Sequence, residues 1–358
     1  MIAKTFKAAA VATLIGATRD TVRRATDESN LGVLRQDTGP KTRIYTVNNV
    51  YDIVNWRMSK KSEKKAKKQV VMTCYVPKGG VGKSTISANL ACIFSLLGLK
   101  TLVIDLDFQS NLTLSFGYDS ELSREEAIED GVSIDKCVDY HFGHLFDQWP
   151  TGKMPLSKVI KKPYGEYGPH LIPSDVSLDR LDTLMTMEAL QTTNSASMVS
   201  KLLHAGKTGK NPDFDLSDYD VILFDAAPAK NRMTRSALLA SDFVIAPISL
   251  EKFSTKAVSY LSKVLEEMKE EDGRCPELVI IGNFFDLNRT RVLNQTAMIR
   301  KTYNSAWLDS IIRRSEDFPK TLSSDTYELP LCLSKCNSIG AEDLRKVAND
   351  LLVKMGVF

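Results

Sequence analysis

The stretch that most limits what this chain can become runs from Val70 to Thr85. An apolar run, Val70-Val71-Met72-Thr73-Cys74-Tyr75-Val76, leads into Pro77-Lys78-Gly79-Gly80-Val81-Gly82-Lys83-Ser84-Thr85, and a helical pattern follows. A strand, a glycine turn and a helix start in that order build a cradle for phosphate. The glycines let the backbone turn tightly so that its N–H groups converge on anionic oxygens, and the helix adds the positive end of its dipole. Lys83 brings a point charge to the β- and γ-phosphates, and the Ser84 hydroxyl is a ligand for Mg²⁺. The phosphates of a nucleotide, with Mg²⁺, are therefore the expected ligands.

With 358 residues the chain has room for more than one domain. Its net charge of +3 is too small to hold nucleic acid by overall balance, so any such affinity has to come from local clusters of basic residues. The six cysteines (Cys74, Cys92, Cys137, Cys275, Cys332 and Cys336) are scattered, mostly within apolar runs, and form no C-x-x-C pair. They read as reduced core residues. Cys332 and Cys336 lack a second ligand pair for zinc, and His141 and His144 read as loop or surface residues. No apolar run reaches the length of roughly 20 residues that spans a bilayer, and Ala8 to Ile15 is too short and too Ala-rich, so a cytoplasmic protein is expected.

Residues 1–57 read as a small domain of their own. Thr5 is placed to cap a helix carrying Phe6, Ala9, Ala10, Thr13 and Leu14 on one face, stopped by Gly16-Ala17; Thr18 is placed to cap a second helix. Two short helices with a glycine between them have the spacing of a helix-turn-helix, which turns Arg19, Arg23 and Arg24 toward bases or phosphates. Lys41 and Arg43 lie on a β-wing over Lys41–Thr46, and Val50 to Arg57 forms a closing helix. Residues 58–69 form a basic linker: from Arg57 to Lys68 there are seven basic residues and one acid, a run that repels itself and contacts phosphate without regard to sequence.

Residues 70–358 alternate strand-like runs with helical stretches, which predicts an α/β domain, a doubly wound, mostly parallel sheet covered by helices on both faces. Strands are expected over Val70–Val76, Thr101–Asp105, His170–Pro173, Val221–Phe224, Phe243–Pro247 and Leu278–Asn283. Helices are expected over Ser84–Leu97, Leu178–Gln191, Met233–Ala240, Lys256–Lys269, Thr290–Tyr303 and Ala341–Met355. Residues 115–210, rich in glycine and proline, suggest loops around short helices and carry no assigned role.

Two further strands end in acids. Leu102-Val103-Ile104 leads to Asp105-Leu106-Asp107, and Val221-Ile222-Leu223-Phe224 leads to Asp225. Carboxylates at the carboxyl edge of such a sheet, beside a phosphate cradle, suit phosphoryl transfer, which needs positioning more than strong base catalysis.

The pattern around Lys78 and Lys83 departs from the general P-loop in having Pro77 at the first glycine position, and it resembles the deviant Walker A of the ParA/MinD family, K-G-G-x-G-K-[ST]-[ST]. The resemblance implies a P-loop ATPase whose nucleotide is held by Lys78, Gly79, Gly80, Val81, Gly82, Lys83, Ser84 and Thr85. It gives Lys78 a catalytic reach across a dimer interface to the partner's nucleotide. The family's D-x-D-P-Q motif maps onto Asp105–Gln109 with Phe108 in the proline position; it implies that Asp107 positions the attacking water, while Asp105 reads as structural. Asp225 corresponds to a Walker B aspartate holding Mg²⁺ through a water together with Ser84, with Ala227 in place of a proline. Asn283 corresponds to an asparagine that contacts adenine. Arg313 and Arg314 match a turn that lies on the family's nonspecific DNA-binding face. The N-terminal "TVRR" and "R-x-Y-T" resemble the winged helix-turn-helix of MerR-type regulators.

Together these resemblances imply a ParA-type partition ATPase that forms an ATP-sandwich homodimer and binds DNA nonspecifically on the nucleoid. A ParB-type centromere-binding partner stimulates its otherwise slow hydrolysis, and the protein also represses its own operon. Two alternatives compete. One is a transcriptional repressor switched by nucleotide; the other is a MinD-like ATPase that cycles on membranes through the tail face of Leu344, Val347, Leu351, Leu352 and Met355.

Overall fold

The computed structural model describes residues 4–37, 39–60, 66, 68–191, 198–249, 254–286, 289–318 and 328–358. Lys61, Lys64, Lys65 and Lys67 of the basic run lie outside the described residues.

The N-terminal segment folds as a three-stranded antiparallel sheet with three helices. Strand β1 (Thr5–Lys7) pairs with β3 (Arg43–Thr46), which pairs with β2 (Leu34–Arg35), placing Phe6 opposite Tyr45. Thr5 is therefore not a helix cap. Phe6, 4% exposed, is anchored in the core from a strand, and the first helix, Ala8–Leu14, starts after it with no side-chain cap. Thr18 does cap its helix, Arg19–Glu28, accepting from the Thr21 amide at 3.1 Å, and Val22 and Ala25 bury one face. The closing helix runs Val47–Ser59, earlier than expected, because Thr46 and Asn49 form a reciprocal capping box at its start.

This unit does not stand apart from the rest of the chain. Tyr51 stacks on Tyr164 with ring centroids 6.1 Å apart, and its hydroxyl donates to the Cys92 carbonyl at 3.4 Å. Met58 lies so close to Gly98 that a Cβ there would stand 2.7 Å from its Cγ. One apolar cluster continues from Phe6 through Val50 and Ile93 to Val357.

The main sheet, among the described residues, has seven strands: β4 (Val70–Cys74), β5 (Thr101–Leu106), β6 (His170–Ile172), β7 (Val221–Ala226), β8 (Phe243–Ile248), β9 (Glu277–Phe285) and β10 (Trp307–Arg313). Their order is β10-β9-β8-β4-β7-β5-β6, every pair parallel. Being buried on both faces, the strands read as nearly unbroken apolar runs. Val70, Met72 and Cys74 point to the face covered by helices Lys83–Leu96 and Ile339–Lys354; Val71 points to the face covered by Asp179–Gln191, Met198–Lys207 and Arg232–Ala240.

Helix Ile339–Lys354, capped by Ser338, turns Leu344, Val347, Leu351, Leu352 and Met355 into this core, each at most 1% exposed. Each such burial contributes about 1.5–3 kcal/mol, and the face is closed to a membrane surface. Among the described residues no helix is long and apolar enough to cross a bilayer.

His141 and His144 are not surface residues. They are 0% and 7% exposed, packed against Trp149 with centroids 4.8 and 5.1 Å away. The Gly143 amide donates to His141 Nδ1 at 3.1 Å, so Nε2 carries the proton and donates to Ser177 Oγ at 2.9 Å; that hydroxyl donates to Asp175 at 2.7 Å. Of the six cysteines, all free, Cys275 alone is partly exposed.

Candidate nucleotide site

Register brings the site together. Cys74, at the end of β4, lies opposite Asp225 on β7, and Asp225 lies opposite Asp105 on β5. The cradle and both acidic motifs therefore converge at the carboxyl ends of three adjacent strands, where open parallel sheets bind ligands.

The cradle follows β4 directly. Gly80 and Gly82 hold φ of 69° and 84°, left-handed values that only glycine adopts without strain, and Gly82 opens helix Lys83–Leu96. A side chain at Gly82 has no room, since a Cβ there would lie 2.6 Å from Asn283 Nδ2 and 3.2 Å from the Phe284 ring. Lys83 is 8% exposed and folds back so that Nζ donates to the Lys78 carbonyl at 3.1 Å. Lys78 is half-buried on the outer limb of the loop, and its amide donates to the Val76 carbonyl at 2.7 Å. Gly79 and Gly80 are exposed, Val81 is buried, and Ser84 and Thr85 are half-buried on the first helical turn.

Asp225 is 1% exposed and accepts from Ser87 Oγ at 2.8 Å, with Ser84 also hydrogen-bonded to it. Burial drives its pKa up, while the hydroxyls of Ser84 and Ser87 and the charge of Lys83 oppose the rise. Asp105 is fully buried, and its pKa is raised by desolvation and by the neighbouring Asp225. It accepts three bonds, from the Asp107 amide (3.0 Å), the Thr113 amide (2.9 Å) and Thr113 Oγ1 (2.7 Å). Asp105 is thus the structural residue of the pair: it pins the turn that carries Asp107. Asp107, 7% exposed, accepts from the Gln109 amide at 3.1 Å and lies close enough to Asp225 to raise its pKa. Ser84 and Asp225, a hydroxyl hydrogen-bonded to a buried carboxylate, are hard oxygen donors of the kind that suits Mg²⁺.

Asn283 is 1% exposed, and its Nδ2 donates to the Val81 carbonyl at 2.8 Å while Oδ1 meets no partner among the described residues. Its amide grips the cradle itself. Arg313 lies at the end of β10, with its guanidinium held by Asp343 in a two-pronged pair at 2.8 and 2.7 Å. Arg314 follows the strand, its amide bonded to the Phe285 carbonyl at 2.9 Å. Arg19, Arg23, Arg24 and Lys41 are exposed on the N-terminal unit, far along the chain from the cradle, and Arg43 is tied to Asp27 at 2.6 Å.

Sequence reasoning missed Asn89. Its Nδ2 donates to the Thr85 carbonyl at 2.7 Å, and its Oδ1 accepts from the Cys332 amide at 2.8 Å. An asparagine among Ile86, Ala88, Leu90 and Ala91 was the available signal.

Residues 69–278 match the family model described as an AAA domain. The cell division protein PomZ of Myxococcus xanthus is 26% identical over 282 residues, covering 78% of this chain and 76% of its own. The chromosome-partitioning ATPase Soj of Thermus thermophilus is 25% identical over 287 residues, covering 78% and 93%. Among solved structures, a putative plasmid partition protein from Borrelia burgdorferi bound to AMPPNP superposes with a TM-score of 0.57 at 22% identity, over 80% of this chain and all of that one. Cobyrinic acid a,c-diamide synthase of Mycobacterium smegmatis with ADP and magnesium reaches 0.59 at 19%, over 79% and 94%. With the family model spanning more than half of its length, the chain belongs to the AAA-domain family, on the ParA/MinD side of the P-loop ATPases.

Proposed function

We propose that this protein is a DNA-partition ATPase of the ParA type that binds ATP with Mg²⁺, dimerises around it and works in the cytoplasm on nucleoid DNA. The observation that carries this reading is the convergence of Lys83, Asp107 and Asp225 on the ends of three neighbouring strands, with Lys78 on the outer limb of the same loop. The names of the relatives, among them partition and cell-division proteins, point the same way.

On this reading the backbone amides of Gly79–Thr85 cradle the phosphates, and Lys83 leaves the Lys78 carbonyl to take up the phosphate charge. Asp107, held by the Asp105 turn, orients the attacking water. Ser84 and Asp225 would hold Mg²⁺, which would supply positive charge against the phosphate oxygens. Lys78 reaches the partner subunit's nucleotide, Asn283 steadies the loop at the adenine side, and a ParB-type protein accelerates a slow intrinsic turnover. The N-terminal unit, read as a winged helix-turn-helix, contacts DNA through Arg19, Arg23, Arg24, Lys41 and Arg43 and represses the protein's own operon. Arg314 and, where released from Asp343, Arg313 add nonspecific contacts.

Lys83→Ala and Lys78→Ala separate the parts. The first is expected to lose ATP turnover; the second, to keep nucleotide binding but lose ATP-dependent dimerisation in sedimentation. Unchanged turnover in Lys83→Ala sinks the site assignment, and a normal ATP-dependent dimer in Lys78→Ala sinks the role across the subunit interface.

A further inference from the structure

Between β1 and the first two helices on one side, and residues 333–338 on the other, runs an open groove of about 880 Å³. Its walls carry Lys4, Lys7, Arg19 and Lys335 and no aspartate or glutamate. Among the described residues Lys4, Lys7 and Arg19 take part in no ion pair; Lys335 Nζ meets Asp317 at 3.1 Å on the rim, where both side chains are at least about a third exposed. Three cations without an ion pair, and a fourth whose carboxylate partner is not among the residues lining the groove, repel one another and favour a polyanion.

The position of the groove says which polyanion. Arg19 is the first residue of the helix Arg19–Glu28, whose Arg23 and Arg24 are exposed, so the groove begins at the first turn of that helix and continues onto the ATPase domain. Lys335 follows the short helix Leu331–Ser334, whose Cys332 amide is bound by Asn89, and Asn89 also holds the Thr85 carbonyl of the cradle.

We propose, resting on the DNA-binding reading above, that this groove takes the sugar-phosphate backbone of duplex DNA held by the N-terminal unit. The ATPase domain then clamps the same duplex through Lys335, and Asn89 is a positioning residue that links the clamp to the nucleotide cradle. Each phosphate neutralised contributes about −0.9 to the slope of log affinity against log salt, which between 1 M and roughly 0.1 M salt is about eightfold in affinity per contact.

The test is fluorescence anisotropy of the full-length protein with ATP and Mg²⁺ on a labelled duplex across a salt series. Lys4→Gln/Lys7→Gln is expected to flatten the slope by about 1.8 and Lys335→Gln by about 0.9, on specific and unrelated sequences alike. Arg23→Gln/Arg24→Gln serves as the reference, and unchanged melting curves confirm that the variants fold. If the wild type shows no salt-dependent binding, the DNA reading itself fails. If the wild type binds and the Arg23/Arg24 variant weakens it while the lysine variants keep the wild-type slope, the groove proposal alone is overturned. It is overturned as well if the lysine variants lose binding only to an RNA duplex run in parallel.

Discussion

Asn89 holds Cys332 to the helix that leaves the phosphate cradle: the Cys332 amide donates to its Oδ1 at 2.8 Å, while its own Nδ2 donates to Thr85 at 2.7 Å. Asn89→Ala removes both bonds and leaves a buried amide unpaired. It is expected to cost about 1–3 kcal/mol in urea unfolding. If the link to the groove is real, DNA affinity of this variant no longer responds to ATP in anisotropy titrations.

Gly82 faces two demands at once, a φ of 84° and contact with Asn283 and Phe284. Gly82→Ala is expected to lose about 1–2 kcal/mol from the left-handed conformation alone and to push Asn283 off the Val81 carbonyl. Nucleotide titration calorimetry is expected to read a markedly weaker Kd for ATP; wild-type affinity would show that the close approach is not needed.

Asp107 and Asp105 divide their labour. Asp107→Asn is expected to keep ATP affinity and lower turnover by about 10², measured as phosphate release. Asp105→Ala frees the turn on which Asp107 sits and, with three bonds lost, is expected to lower both turnover and melting temperature.

His141 sets a pH dependence. Its burial pushes its pKa down to about 4 from an ordinary 6.5, against the pull of Asp175, so the folded chain keeps it neutral while the unfolded chain takes up a proton below 6.5. Stability from this residue is constant above 6.5 and lost as the pH falls from 6.5 toward 4. His144 is lowered by burial in the same direction. Melting curves are expected to show a smaller acid loss in His141→Gln than in the wild type; the opposing contribution of Asp105 is common to both proteins and cancels in the difference.

The sequence reveals those parts of the fold where periodicity is sharp and local. The six expected main-sheet strands are present, with ends displaced by up to two residues, because fully buried parallel strands are runs of Val, Ile, Leu and Phe. Strand β10 escaped because Asp309 and Ser310 interrupt it, although Trp307, Leu308, Ile311 and Ile312 flank them. Thr5 looked like a cap because caps are chosen by residue type, and only the pairing of Phe6 with Tyr45, far along the chain, makes it a strand. The cradle was readable because glycine spacing is dictated by the turn itself. The hold of Asn283 on Val81 and that of Asp343 on Arg313 were not, since each joins residues that no local pattern connects.

The single apolar cluster running from Phe6 to Val357 also has a thermodynamic meaning. A small unit tethered by a basic segment would melt by itself, like a bead on a string. This one shares Tyr51, Met58 and their neighbours with the helix that leaves the cradle, so the two parts unfold cooperatively. Heat capacity traces then carry one transition, and nucleotide bound at the cradle raises the melting point of the N-terminal helices along with the rest.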